Sequence, residues 1–158
     1  MRWAADRADN LLRPSDGTTP LAYGTSIDQY RKSSVSSASP LRLVIMLYDG
    51  ALRFMEAGKH AMLRGEIYAQ NQNIQKAQSI ITELMATLDM EQGGEVAGNL
   101  SSLYSYIHNR LVEANIDDRP EHIDECVVLL RDLRESWAEL ETESKARNGQ
   151  AREADGAA

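Results

Sequence analysis

The chain has 158 residues, 42% of them hydrophobic, 26% charged and only 6% aromatic, with a net charge of −7 and a pI near 5.0. That length suits one domain with a real core, and few aromatics beside many Ala, Leu, Glu and Arg residues point to helices rather than a sheet. The acidic balance argues against nucleic acid, whose phosphates need a basic face, and against an anionic membrane surface.

Residues 1–38 read as an irregular N-terminal arm. Pro14-Ser15-Asp16-Gly17-Thr18-Thr19-Pro20 is a run of turn formers, and 33–39 is rich in serine. The start, Met1-Arg2-Trp3-Ala4-Ala5-Asp6-Arg7, has no apolar h-region, and no stretch reaches the apolar length of a membrane span. A cytosolic location is therefore expected.

Four helical patterns follow, all within one domain at 39–143. The first opens with Ser39 as N-cap and Pro40 at N1 and runs to about Arg64, before Gly65. Leu41, Val44, Tyr48, Leu52 and Met55 form one stripe, and Leu43, Leu47 and Phe54 lie on another flank, so more than one face is apolar. Gly50 and Gly58 weaken the helix but allow another backbone to approach closely. The second pattern covers 66–88, where Ile67, Ile74, Ile81 and Leu88 recur every seventh residue, with Ala77 and Leu84 between them. Gly93-Gly94 is a helix stop that needs positive φ. The third pattern covers 95–115, with Ala97, Leu100, Tyr104, Ile107, Leu111 and Ala114 at steps of three and four. The fourth starts near Pro120 and ends near Glu143, with Ile123, Val127, Leu130, Leu133 and Trp137 facing inward. The tail at 144–158 has no bulky apolar residue and is expected to be disordered. Short connections favour antiparallel neighbours, so the expectation is all-α: an antiparallel up-down four-helix bundle with a mobile arm.

Little points to catalysis. A di-iron bundle needs Glu-x-x-His pairs, but Ala57, Ser105 and Arg119 stand three residues before His60, His108 and His122. Glu56 and His60 read as a helix-surface pair. The single cysteine, Cys126, sits beside Val127 on an inward face and reads as a core thiol. Neither an enzyme nor a metal or cofactor site is indicated. What remains is apolar surface: Leu43, Leu47 and Phe54 on the first helix, with Ile80, Met85 and Leu103 on the next two. These form either a wide core with half-buried edges or a groove for a partner's amphipathic helix.

An ordered set of motifs breaks the tie. Ser39-Pro40-Leu41 and Met46-Leu47-Tyr48-Asp49-Gly50-Ala51 come first. Leu88-Asp89-Met90-Glu91-Gln92-Gly93-Gly94-Glu95-Val96-Ala97-Gly98-Asn99-Leu100 follows, then Leu103-Tyr104-Ser105-Tyr106, Leu111-Val112-Glu113-Ala114-Asn115 and Leu133-Arg134-Glu135-Ser136-Trp137. From about Tyr23 to Leu140 the chain resembles the FliS family of cytosolic flagellin export chaperones. The resemblance implies a four-helix bundle that binds the disordered C-terminal region of flagellin, prevents premature polymerisation and delivers the client to the flagellar export apparatus. It carries Asn73 and Lys76-Ala77 into the family's second-helix pattern and Asn99, Leu100, Leu103 and Tyr104 into its most distinctive one. The implied flagellin groove is then Leu43, Leu47, Phe54, Lys76, Ile80, Asn99, Leu100, Leu103 and Tyr104. Ile27 and Tyr30 match arm positions that in the family can cover the site when flagellin is absent. Family members usually begin shortly before the first arm tyrosine, so residues 1–21 read as an extension. The rivals are a regulatory protein contacting an anti-sigma factor or assembly factor, and a plain homodimeric bundle.

Overall fold

The computed structural model describes residues 39–157. It is all-α, with no strand element among the described residues: α1 (Pro40–Leu63), α2 (Ile67–Ala86), α3 (Met90–Asp117) and α4 (Pro120–Gly156). The expected arm, with Ile27 and Tyr30, lies outside the described residues.

Local chemistry sets the ends of these helices. At the start of α1 the Ser39 hydroxyl accepts the Arg42 amide at 3.1 Å, and Pro40 occupies a position whose missing N–H costs nothing. Its other end closes with Gly65 at φ 70. The Gly65 amide donates to Met62 O at 3.1 Å and the Glu66 amide to Ala61 O at 2.9 Å, the paired bonds of a Schellman turn. α2 ends at Ala86, ahead of the Leu88 boundary that its heptad pattern suggested. The Thr87 hydroxyl donates to Leu84 O at 2.7 Å, and Asp89 is already the cap of the next helix, accepting the Glu91 and Gln92 amides at 3.1 and 3.0 Å. α3 therefore starts at Met90 rather than Glu95. Its first turn is interrupted at Gly94, whose φ of 52 and ψ of −131 are open to glycine and strained for other residues. The positive φ expected at the Gly-Gly pair is present at Gly94, where it separates a first turn at Met90–Gly93 from the main run of α3, which begins at Glu95 as expected. α4 runs on to Gly156, well past Glu143. Residues 144–156, expected to fray, are helical and exposed from Lys145 onward, mostly Ala, Glu, Gln, Lys and Arg; local propensity explains them, since they have no core to pack against.

α1 and α3 each pack against both α2 and α4. Cross-helix contacts give the directions. Asp49, Glu56 and Lys59 on α1 pair with Arg134, Arg131 and Asp124 on α4, one sequence rising as the other falls. Likewise Asn71 and Met85 on α2 meet Asn115 and Ser105 on α3. Gly50 and Gly58 on α1 face Ile80 and Ile74 on α2. The result is the up-down bundle that the sequence indicated.

The core runs through all four helices, with Ile45, Met55, Ile74, Ile81, Ile107, Leu111, Ile123 and Leu130 all fully buried. Gly58 marks the closest approach: a Cβ there would lie 2.9 Å from Ile74 Cγ1. The heptad seam of α2 does not start where its period suggests. Ile67 is 75% exposed, and Gln70, one turn later, closes the core instead. Its amide nitrogen donates to Asn115 Oδ1 at 3.2 Å and Asp118 Oδ1 at 2.8 Å, tying the start of α2 to the end of α3.

Candidate functional site

Two apolar seams converge at the end of the bundle from which the arm departs. The first lies between α1 and α2. Leu43, Leu47, Gly50 and Phe54 succeed one another at steps of three and four along α1, so they share a flank. Opposite them stand Ile80, against which a Cβ at Gly50 would lie 3.3 Å from Cδ1, and Lys76, whose ammonium sits 5.4 Å from the centre of the Phe54 ring. The second seam lies between α2 and α3. Met85 receives the Ser105 hydroxyl at 3.6 Å, and Leu100 and Leu103 pack half-buried against the core.

Burial sorts the residues named from the sequence. Leu43, Phe54, Leu100 and Leu103 are half-buried, with apolar surface still facing water. Lys76 and Asn99 are exposed at the rim. Leu47 and Ile80, at 9% and 7% exposure, form the floor beneath them. Tyr104, at 1%, is inside the bundle. Met85 belongs with the half-buried group, and so does Val96 at the start of the main run of α3.

Tyr104 has a different role. Its hydroxyl bonds the Tyr48 hydroxyl, and Tyr48 also accepts the Trp137 indole N–H at 3.0 Å. The two rings are tilted by 57° with centroids 6.3 Å apart. One polar cluster thus ties α1, α3 and α4 together inside the core. Burial pushes the Tyr48 phenol up to about 12, although its bonds to Tyr104 and Trp137 pull the other way. Burial also raises Tyr104, reinforced by the neighbouring Tyr48. Both stay neutral at any physiological pH.

The remaining reactive groups are quiet. Cys126 is buried, and loss of water raises its thiol to about 12, well away from a reactive thiolate. Glu56 receives Arg131 of α4 at 3.3 Å, so its partner lies across the bundle rather than at the His60 position. On the α3–α4 face, Tyr106 and Arg110 both donate to Glu125, and these bonds hold its carboxyl below the usual range. Among the described residues no group of His, Cys, Asp and Glu side chains could hold a metal ion, and no helix is long and apolar enough to cross a membrane.

With this geometry in place, comparison with known proteins is specific. The family model described as "Flagellar protein FliS" matches residues 23–144. The flagellar secretion chaperone FliS of Vibrio cholerae is 35% identical over 122 residues, covering 75% of this chain and 90% of the relative. That of Salmonella typhimurium is 39% identical over 110 residues, covering 69% and 82%. The flagellar secretion chaperone FliSB of Pseudomonas aeruginosa is 40% identical over 116 residues, covering 71% and 92%. The match spans both seams and all of α1, α2 and α3. The chain belongs to the FliS family.

Proposed function

We propose that this chain is a flagellar secretion chaperone that works by binding, not catalysis, and that its client is the C-terminal region of flagellin. The observation carrying this reading is the pair of seams edged by Leu43, Phe54, Met85, Leu100 and Leu103, which leave contiguous apolar surface half-exposed on a folded bundle. An amphipathic client segment laid along those seams would bury its own apolar face and lose the ability to pack against other flagellin chains. Masking of this kind keeps an unassembled client soluble until export. Lys76 and Asn99 at the rim offer polar contacts that fix orientation. Leu47 and Ile80 contribute by shaping the floor, and Tyr104 by holding α3 in place.

A client that is disordered before binding must offset its ordering cost with a large contact area. Single substitutions should therefore weaken binding rather than abolish it. Leu103→Asp and Phe54→Ala are each expected to reduce affinity about tenfold to a hundredfold, equivalent to ~1.4–2.8 kcal/mol. Unchanged affinity in both variants, with circular dichroism showing a folded bundle, would remove the seams from the site. The arm supplies regulation in this reading: Ile27 and Tyr30 cover the seams until the client displaces them. Deleting residues 1–38 should tighten binding or leave it intact, and a large loss would make the arm part of the site itself.

A further inference from the structure

The opposite end of the bundle carries a second apolar surface. There the α1–α2 turn and the α3–α4 turn lie side by side, joined by the bonds of Gln70 and Asn71 to Asn115 and Asp118. Four large side chains stand exposed at this end: Leu63 at 62%, Ile67 at 75%, Tyr68 at 76% and Ile116 at 74%. Most of the bundle's other large apolar side chains are buried or half-buried, so this concentration is unusual for a surface otherwise well covered. Ile67 is the most telling of the four, since it continues the buried seam of Ile74 and Ile81 out past the last layer of the core.

We propose that the chain's own N-terminal segment Trp3–Leu12 docks on this end, through Trp3, Leu11 and Leu12. Length permits it. α1 has 24 residues and so rises about 36 Å from Ser39 to the far end, whereas the stretch from Leu12 to Ser39 can extend to about 90 Å at roughly 3.3 Å per residue. Charge favours it. Counted over residues 2–13, with the arginines that flank the segment, Arg2, Arg7 and Arg13 outnumber Asp6 and Asp9 by one. At the receiving end the exposed Glu66, Asp117, Asp118 and Glu121 outnumber Arg64 and Arg119, which already pair with Glu66 and Glu121, so the attraction is small but of the right sign. Size favours it over a second copy. Four side chains fall well short of the 20–30 residues, or about 800 Å2, that each partner contributes to a stable interface. A tethered segment needs far less contact, because its effective concentration is on the order of millimolar. The segment lies outside the family match, which begins at residue 23, and the surface is separate from the client seams, so the proposal stands apart from the chaperone reading.

The two tryptophans make the test direct. Subtracting the emission of Trp3→Phe from that of the full chain isolates Trp3, since Trp137 is buried in both. In the full chain the Trp3 component should be blue-shifted and shielded from acrylamide. In Ile67→Asp/Ile116→Asp it should move to longer wavelength and quench freely. Both substituted positions are about three-quarters exposed, so the core is not disturbed. Val128→Asp, at an exposed apolar position two turns into α4, should leave the component unchanged. The proposal is overturned if Trp3 is already solvated in the full chain, if the double variant leaves it shielded, or if Val128→Asp releases it equally. A blue shift that appears only as protein concentration rises would also overturn it, and would assign the surface to a second copy.

Discussion

Removing the Tyr48 hydroxyl should cost more than removing the Tyr104 hydroxyl, although the two bond each other. Tyr48 is the hub, because it both accepts the Trp137 N–H and bonds Tyr104. Tyr48→Phe leaves two buried groups without partners, the Trp137 N–H and the Tyr104 hydroxyl. Tyr104→Phe leaves at most one, since Tyr48 still accepts from Trp137. At about 1–3 kcal/mol for each orphaned buried group, Tyr48→Phe should destabilise by ~2–6 kcal/mol and Tyr104→Phe by at most ~3 kcal/mol. The double variant orphans only the Trp137 N–H, where the singles together orphan two or three groups, so it should cost ~1–6 kcal/mol less than the sum of the singles. Urea denaturation of the three variants measures this, read as midpoint shifts at constant slope. Equal costs for the two singles, or strict additivity, would refute the hub arrangement. The same series tests the placement of Tyr104: at temperatures where the protein is folded, Tyr104→Phe should bind client as the parent does.

Further tests address packing, pH and the thiol. Gly58→Ala gains about 1 kcal/mol of helix propensity but pushes a methyl to 2.9 Å from the stiff, fully buried Ile74, where overpacking costs ~1–3 kcal/mol. It should be neutral to destabilising by ~2 kcal/mol. Gly50→Ala meets only the end of the Ile80 side chain at 3.3 Å and should be neutral to stabilising, by thermal melts of both. Because the folded-state pKa values of Tyr48 and Tyr104 are raised above the usual 10, their contribution is intact below pH 10. It should decline as pH climbs from about 10 towards about 12, where Tyr48 itself ionises. A decline already complete by pH 9 would contradict this. Cys126 should react with a thiol reagent only at the rate of bundle opening, so urea below the unfolding midpoint should accelerate labelling. Fast labelling of the native protein would show that the thiol is accessible.

Much of the bundle was legible because its helix signals are local. Ser39-Pro40, Gly65 and Gly94 act through their own backbone, and the recurrence of apolar residues at three and four marks inward faces without knowledge of neighbours. Where the neighbours decide, the sequence is silent. Ile67 keeps the heptad register yet falls beyond the end of the core, because the period cannot say where a partner helix stops. Asp89 sits where it could continue α2, and only its bonds to the Glu91 and Gln92 amides show that it starts α3. Residues 144–156 lack apolar side chains, so pattern alone predicts fraying where propensity builds a helix. In the candidate site, a helical wheel places Leu43, Leu47 and Phe54 on one flank but cannot separate the buried Leu47 from its half-exposed companions. The Tyr48–Tyr104–Trp137 cluster joins positions 56 and 89 apart in sequence. Only the signal of several aromatics bearing a polar tip at inward positions hinted at it.

The seams can be tested most directly by calorimetric titration of the full chain with a peptide covering the C-terminal helical region of flagellin from the same organism. One-to-one binding in the submicromolar range, with a negative heat-capacity change from apolar burial, is expected. Leu103→Asp should weaken it and Tyr104→Phe should not. Absence of binding by a folded protein at high peptide concentration would contradict the chaperone assignment while leaving the bundle as described.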